Sequence, residues 1–331
     1  MESALLDVRA LTVELPGPRG PLPILSDVSF ALGRGESLGL VGESGCGKSM
    51  TALALMGLLP PAARVRGRVT LDGRDLTACD EATLCSIRGR RVAMVFQEPM
   101  TALNPVQTIG AQVAEGPRRG GLTRGEAQER ALQVLGRVGL PPERFSPRLY
   151  PHQLSGGQRQ RVVIAIALSQ GPDLLIADEP TTALDVTIQA QILDLITEVA
   201  AETRMGLILI THDLGIVAET AARVMVMYGG RIVEAGPTER VFTRRAHPYT
   251  RGLFAASPHA AVARLGAGSR RIRLATIPGQ VPDPGSRPAG CAFAARCPLR
   301  TAECLEATPP FVPVGEGHAV ACLHPVPQDA P

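Results

Sequence analysis

The sequence predicts an α/β fold with a mostly parallel sheet, a helical insertion and a smaller C-terminal module. Short apolar runs bounded by turn residues recur along the chain, with helix-length segments between them: "SLGLVG", "RVAMVFQ", "LLIADEP" and "LILITHD". This alternation is typical of buried parallel strands covered by helices. Strand signals are missing from Pro99 to Arg148, where "RGEAQERALQVLGRVGL" has helical spacing and charged faces, so we expect the insertion at about residues 98–170.

The C-terminal part of the chain differs in composition from the rest. The stretch "MVMYGGRIV" places Gly229 and Gly230 between two strand-like runs, which predicts a hairpin. After about His247, Pro and Gly become frequent, as in "IPGQVPDPGSRPAG", and regular patterns disappear. We therefore expect one large domain over residues 1–255 and a small irregular module over residues 256–331.

Composition is that of a globular protein. The 331 residues are 45% hydrophobic and 20% charged, which argues against disorder. Aromatic residues at 3% argue against a base-stacking surface, and a net charge of +3 is too small to indicate nucleic-acid binding by itself, so we expect no nucleic-acid partner. The N-terminus lacks the pattern of a secretory signal, and the most apolar run, "VVIAIAL", is far shorter than the roughly 20 residues that cross a bilayer. We expect the chain to fold in the cytosol, where disulfides do not persist.

A phosphate-binding loop is the first motif that indicates chemistry. "GESGCGKS" fits G-x-x-x-x-G-K-[ST] and stands between a predicted strand and a helix that begins "MTALALMGLL". Its glycines let backbone N–H groups face the phosphates of a nucleotide, and the helix N-terminus adds positive potential. We expect Lys48 to bridge the β- and γ-phosphates and Ser49 to bind Mg²⁺. The residues expected at the nucleotide are Gly42, Ser44, Gly45, Cys46, Gly47, Lys48, Ser49 and Met50.

Two points about this loop stay open. A glycine-rich turn between a strand and a helix can match the same pattern without binding a ligand. Cys46 lies at a helix start, where its thiol could be acidified, although a small residue that fills space is the simpler interpretation.

Carboxylates and a second glycine-rich turn provide further candidate groups. The apolar strand "LLIADEP" ends in Asp178, expected to hold Mg²⁺ through water, and Glu179, expected to act as general base. Upstream, "LSGGQ" precedes a helical stretch, so Ser155, Gly156 and Gly157 would form an anion-binding helix cap. Either segment alone also occurs as an acidic strand end or a flexible turn.

The ordered set of motifs resembles the ATP-binding subunit of an ABC transporter over residues 5 to 255. It comprises the phosphate loop, a Q-loop glutamine in "MVFQEP", the "LSGGQ" signature, the Walker B strand "LLIADEP", a D-loop "TALD" and a switch histidine in "LITHD". The resemblance implies an ABC-type P-loop ATPase core in which Gln97 senses Mg²⁺, His212 contacts the γ-phosphate and Asp185 lies at a dimer seam. Simpler interpretations of these three are a polar strand end, a strand-closing histidine and a helix N-cap.

The resemblance also implies that the chain does not work alone. In the family, the signature of one subunit closes over ATP held by the phosphate loop of another; the corresponding residues here are Ser155, Gly156, Gly157 and Gln158. Since each motif occurs once in this chain, a second ATPase subunit is required. One departure concerns adenine, which family members usually stack on an aromatic residue, whereas "LTVELPGPRG" offers Leu15.

Several local segments resemble the dipeptide/oligopeptide importer group, which also includes some nickel importers. These segments are "FQEPMTALNP", "YPHQLSGGQRQR", "DEPTTALDVTIQAQIL" and "HPYTRGL". The resemblance implies import of di- or oligopeptides, with nickel or another small solute as the alternative cargo. It implies a paralogous second ATPase, two transmembrane permeases and an extracytoplasmic solute-binding protein, with this chain at the cytoplasmic face of the membrane. A soluble ABC ATPase acting on nucleic acid is less favoured, because the chain has neither a long coiled-coil insertion nor a second ATPase unit.

Four of the seven cysteines lie in the C-terminal module: Cys291, Cys297, Cys304 and Cys322. Their spacing lacks the paired C-x-x-C of zinc ribbons, but four thiolates can hold a [4Fe–4S] cluster. The subfamily resemblance suggests such a cluster at these four positions, and zinc or unliganded thiols are the alternatives. Because a small module with few core residues gains stability from a metal, the expected role is structural.

Overall fold

The computed structural model describes residues 4–96, 102–181, 184–257 and 275–327. Its strands are β1 Leu6–Leu15, β2 Leu22–Leu32, β3 Ser37–Val41, β4 Arg64–Leu71, β5 Arg74–Asp75, β6 Val92–Val95, β7 Leu174–Asp178, β8 Gly206–Ile210, β9 Arg223–Tyr228, β10 Arg231–Pro237, β11 Phe311–Gly315 and β12 His318–Ala321. Its helices are α1 Lys48–Leu55, α2 Glu81–Ile87, α3 Ile109–Arg119, α4 Arg124–Arg137, α5 Gly156–Leu168, α6 Val186–Thr203, α7 Leu214–Thr220, α8 Thr238–Arg244, α9 Pro248–Ala256 and α10 Glu303–Glu306.

Contacts divide the chain into two compact units that interleave along the sequence. The first contains Gly33–Glu36 and Ala78–Ile208, and the second contains Leu6–Leu32, Ser37–Thr77 and Leu209–Pro331. N-terminal and C-terminal segments thus share the second unit. The domain boundary at residue 255 stays a prediction from the sequence.

The first unit combines parallel strands with the helices predicted between them. β6 and β7 pair in parallel, with Val92 opposite Leu174 and Val95 opposite Ala177. Every residue of β7 is buried, which agrees with the four apolar residues that precede Asp178 in this strand. Helices α3, α4 and α5 follow one another without an intervening strand among the described residues from 102 to 168.

Helix α4 shows how the sequence sets local structure in this unit. Thr123 accepts a hydrogen bond from the backbone N–H of Glu126, whose side chain bonds back to Thr123, so the helix begins with a capping box. Its buried residues are Ala127, Ala131, Val134 and Leu135. This spacing of three and four gives one apolar stripe, and the remaining faces carry charge.

The second unit contains an antiparallel sheet that the strand prediction missed. Its order is β2-β1-β4-β5, and the buried residues of β1 include Leu6, Val8, Leu11 and Val13. The sequence does carry a strand signal here, because buried apolar residues alternate with other residues along β1, except at a register shift between Val8 and Leu11.

The C-terminal tail joins the regular structure of this unit. The predicted hairpin forms, with β9 and β10 antiparallel around the Gly229 to Gly230 turn, and β9 also pairs in parallel with β3. Beyond them, β12 pairs with β10 and β11 pairs with β12. The module therefore contributes two strands in addition to the irregular loops expected from its Pro and Gly content.

A buried carboxylate anchors the tail. Glu234 in β10 is 0% exposed and accepts hydrogen bonds from the backbone N–H groups of Ala246 and His247, both at 2.8 Å. It also lies 2.8 Å from Nε2 of His318 in β12. These partners satisfy a charge that would otherwise be costly to bury, and they join three segments of the unit.

Within the described ranges, none of the helices combines the length and apolarity needed to span a membrane.

Candidate nucleotide-binding site

The phosphate loop connects β3 to α1 along a path that only glycine accommodates. Gly42 has a φ of 155°, and a Cβ there would lie 2.3 Å from the carbonyl oxygen of Met227. Gly47 precedes α1 in a left-handed conformation with a φ of 113°. Because β9 passes so close, the loop must turn sharply before the helix begins.

The Lys48 ammonium lies inside this loop. The residue is 6% exposed, and its Nζ donates to the carbonyl oxygens of Gly42 and Glu43 at 2.8 and 3.0 Å. Ser44, Gly45 and Ser49 are exposed on the loop and the first turn of α1. The loop therefore places the Lys48 ammonium beside exposed backbone and hydroxyl groups. This arrangement suits a polyphosphate ligand.

Cys46 packs as a small buried residue. It is 0% exposed, and its carbonyl oxygen accepts a hydrogen bond from the N–H of Gly230 at 2.8 Å. Burial raises the pKa of its thiol, and the nearby Lys48 charge opposes this only in part. Burial of the thiol therefore does not favour the acidified form considered from the sequence, and the space-filling interpretation fits. Met50 lies partly buried in the first turn of α1.

The signature forms an exposed helix start in the first unit. Ser155 is the N-cap of α5: its side chain accepts from the N–H of Gln158 at 3.4 Å, and Gln158 Oε1 accepts from the N–H of Ser155 at 2.9 Å. Ser155 and Gly156 are exposed, while Gly157 approaches Ile188 so closely that a Cβ would lie 2.7 Å from its Cγ2 atom. The exposed backbone at this helix start is accessible to an anion.

The structure brings Asp185 to the signature. Asp185 is the N-cap of α6 and accepts from the N–H of Ile188 at 3.0 Å, so the simple capping interpretation applies. It is also exposed and lines the same open cleft of about 660 Å³ as Ser155 and Gly156. The next residue, Val186, is 83% exposed.

The two carboxylates of the Walker B strand differ in environment. Asp178 ends β7 and is 4% exposed, whereas the following Glu179 is only partly buried. Glu179 has a φ of 45°, a left-handed conformation that is unfavourable for a residue with a side chain. Backbone strain of this kind is concentrated at functional sites.

The remaining residues predicted for the site are His212, Gln97 and Leu15. His212 lies two residues after the end of β8 and is exposed, and Asp213 caps α7 by accepting from the N–H of Gly215 at 2.8 Å. Gln97 lies outside the described residues. Leu15 ends β1 opposite Leu22, and its role toward adenine stays a prediction.

The four C-terminal cysteines line one small cavity, together with His247 and His324. Burial raises the pKa of Cys322 to about 11, and the charges of the other three thiols add to this. His247 is 1% exposed, and its Nε2 has no hydrogen-bond partner among the described residues. Among all the described residues, no group of three His, Cys, Asp or Glu side chains is arranged to hold a metal ion.

Comparison with known families supports the nucleotide-site interpretation. Residues 25–182 match the ABC transporter family, and residues 233–304 match the oligopeptide/dipeptide transporter C-terminal region. A Brucella ovis protein described as a peptide import ATP-binding protein is 48% identical over 333 residues, covering 96% of each chain. A probable peptide ABC transporter ATP-binding protein of Sinorhizobium fredii is 48% identical over 96% of this chain and 94% of its own length.

Solved structures show the same fold. An ATP-binding cassette in a dimeric post-hydrolysis state with ADP and Pi bound has a TM-score of 0.63 and 29% identity, over 70% of this chain and 98% of that one. The structure of cbiO1 from Clostridium perfringens, part of the ABC transporter complex cbiONQ, has a TM-score of 0.62 and 29% identity. The match covers 74% of this chain and 92% of that one.

These matches establish the class: the chain belongs to the ATP-binding proteins of ABC transporters and is an ABC-type ATPase. Within that family, it belongs to the group that carries the oligopeptide/dipeptide transporter C-terminal region.

Sequence reasoning missed three residues that meet at the phosphate loop. Glu43 donates its backbone N–H to the hydroxyl of Tyr249 at 2.8 Å and pairs through its carboxylate with Arg296. No local motif signals these contacts, because their partners are more than two hundred positions apart in the chain.

The Ser155 cap allows a stability prediction. Replacing Ser155 by Ala removes a hydrogen-bonded N-cap, so the free energy of unfolding should fall by about 1 kcal/mol. Ser155→Asp retains a capping oxygen and should remain close to the wild type. Urea denaturation of both variants checks this, with Thr123→Ala as the matched control, since Thr123 makes the same capping box at α4. Equal stability of Ser155→Ala and the wild type would contradict the capping role.

Proposed function

We propose that this chain is the ATP-hydrolysing subunit that powers import of di- or oligopeptides through a membrane transporter. The match of residues 233–304 to the oligopeptide/dipeptide transporter C-terminal region carries the choice of cargo. The names of the relatives at 48% identity support it. In this proposal the chain binds at the cytoplasmic face of two permeases, beside a second and paralogous ATPase, and a solute-binding protein outside the membrane delivers the peptide.

The proposed nucleotide contacts follow from the loop geometry. Lys48 would exchange its bonds to the Gly42 and Glu43 carbonyls for bonds to the β- and γ-phosphates of ATP. The N–H groups of the loop and of the start of α1 would bind the phosphates. The exposed Ser49 hydroxyl and the Asp178 carboxylate are hard oxygen donors that suit Mg²⁺, with Gln97 as a third. When bound, Mg²⁺ neutralises charge on the β- and γ-phosphates.

Hydrolysis is assigned to the residues around the end of β7. Glu179 would accept a proton from the attacking water, and the residue is only partly buried. The exposed His212 would contact the γ-phosphate. The start of α5 at Ser155, Gly156 and Gly157 would cap the γ-phosphate of ATP bound to the partner ATPase, with the N–H groups of the two glycines as donors, next to Asp185 at the seam. Ser155 and Asp185 are both exposed, as this arrangement requires.

The base assignment has a direct test. Glu179→Gln keeps the size and polarity of the side chain but cannot accept the proton, so ATP turnover should fall by at least about 10²-fold while ATP binding persists. Phosphate release and retention of radiolabelled ATP measure the two effects separately. Ser155→Asp, which keeps the helix cap but adds a negative charge at the proposed cap site, should also abolish turnover. Undiminished hydrolysis by Glu179→Gln would refute the role as base.

The transport assignment is tested with the assembled complex. Affinity purification of this chain from its own membranes should recover two permeases and a second ATPase encoded with it. The solute-binding protein of that transporter should then bind di- or oligopeptides in calorimetric titration. Binding of nickel or another small solute, with no response to peptides, would overturn the peptide assignment and leave the ATPase assignment intact.

We further propose that Cys291, Cys297, Cys304 and Cys322 hold a [4Fe–4S] cluster. All four line one cavity, and the buried His247 ring offers an unpaired nitrogen there among the described residues. A zinc site needs four sulfurs about 2.3 Å from one point. A cluster instead distributes four cysteine ligands over several irons, and the four cysteines that line this cavity match that number. The cluster would act as a structural crosslink of the tail.

Anaerobic purification tests this proposal. The protein should contain about four iron atoms and equivalent sulfide per chain. Cys297→Ser should lower the iron content and the thermal unfolding midpoint, whereas Cys85→Ser, an exposed cysteine on α2, should change neither. A colourless preparation without iron, or one that contains stoichiometric zinc, would refute the cluster.

A further inference from the structure

An arginine of the C-terminal tail reaches the phosphate loop of the same unit. Arg296 donates two hydrogen bonds to the Glu43 carboxylate, from Nη1 to Oε2 at 2.6 Å and from Nη2 to Oε1 at 2.9 Å. This is a fork-to-fork pairing, which fixes geometry as well as charge. Glu43 is the second residue of the loop, directly after Gly42.

Arg296 is held by further partners on its own side. Its Nε donates to the Pro278 carbonyl oxygen at 2.8 Å, and Nη2 also donates to the carbonyl oxygen of Ile277 at 3.1 Å. Nη1 also contacts the Tyr228 hydroxyl at 3.3 Å. The arginine side chain is 5% exposed, so this pair differs from solvent-exposed ion pairs, which contribute little.

The backbone of Glu43 is fixed from the same direction. Its N–H donates to the hydroxyl of Tyr249, a residue that is 0% exposed. Tyr249 packs on Tyr228 and Phe293, with ring centroids 4.6 and 5.4 Å apart. The carbonyl oxygen of Glu43 in turn accepts from Lys48 at 3.0 Å. Side chain, N–H and carbonyl of one loop residue are therefore all engaged, two of them by residues beyond residue 248.

The negative charge of Glu43 makes its pairing with Arg296 relevant to nucleotide binding. A carboxylate in a loop that receives a triphosphate repels its ligand unless a cation neutralises it and holds it aside. Arg296 is the cation that pairs with Glu43 in the described structure. Lys48 contacts the Glu43 main chain and not its carboxylate.

We propose that Arg296 is a positioning residue for nucleotide binding. It neutralises the Glu43 carboxylate and holds the phosphate loop in its observed conformation. The C-terminal module is thereby part of the ATP site and not only an attachment to the ATPase core. This inference rests on the proposed nucleotide contacts of the phosphate loop.

The test is a double-mutant cycle on the full chain, with MgADP as the probe in isothermal calorimetry. Arg296→Gln leaves Glu43 unpaired and should weaken MgADP binding on the order of tenfold. Glu43→Gln removes the repulsive charge and should remain within about threefold of the wild type. The double variant Glu43→Gln/Arg296→Gln should recover most of the affinity lost in Arg296→Gln alone. In steady-state assays of Arg296→Gln, KM for ATP should rise while kcat stays within about twofold.

Arg240→Gln is the matched control. Arg240 also forms an Arg–Glu pair with the tail, through Glu316, but the two side chains are 46% and 90% exposed and the pair involves no residue of the phosphate loop, so MgADP affinity should not change. Thermal unfolding of every variant identifies loss of folding. If Arg296→Gln does not fold, Arg296→Lys carries the test, since it keeps the charge without the fork and should weaken MgADP binding by a smaller factor.

The outcomes separate the two proposals. If Lys48→Ala leaves MgADP affinity unchanged, the proposed nucleotide site is wrong. If Lys48→Ala weakens binding but folded Arg296→Gln or Arg296→Lys binds like the wild type, only the role of Arg296 is wrong. The role of Arg296 would also be wrong if the losses of MgADP affinity in the two single variants simply add in the double variant, with no rescue by Glu43→Gln.

Discussion

The close passage of the phosphate loop over β9 is the constraint on which the site depends. Gly42 lies so near the Met227 carbonyl that no side chain fits, and the chain must turn there before α1 can begin. That turn encloses Lys48 and leaves the helix start exposed at Ser49. The position of β9 is itself fixed by parallel pairing with β3 and antiparallel pairing with β10. A local turn is thus shaped by strands from distant parts of the chain.

Features encoded in short stretches of sequence were predictable. The phosphate loop, the Ser155 cap and the Gly229 to Gly230 hairpin each have local residue patterns, and the structure contains all three. The antiparallel sheet of β1, β2 and β4 was missed because register shifts interrupt the alternation of buried and exposed residues in β1. The β11 to β12 hairpin was missed because Pro and Gly suggested irregular structure, whereas pairing with β10 supplies the missing stability.

Contacts between distant residues could not be predicted from one sequence. Glu43 and Arg296 carry no pattern that links them, and neither does the buried Glu234 with His318. Each pairing depends on burial and on the placement of other elements, which local propensity does not encode. The cysteines are intermediate: their clustering in sequence indicated a common site, and the shared cavity agrees, but the spacing alone did not identify the bound group.

The left-handed backbone at Glu179 has a consequence for how this enzyme can evolve. Glycine would adopt a φ of 45° without strain, whereas glutamate bears a cost on the order of 1 kcal/mol at this position. Glycine would also give the unfolded chain more conformational freedom, and this effect on stability is similar in size and opposite in sign. The carboxylate is therefore kept at little net cost to the fold, and a more heat-resistant form of the chain is best sought through substitutions elsewhere.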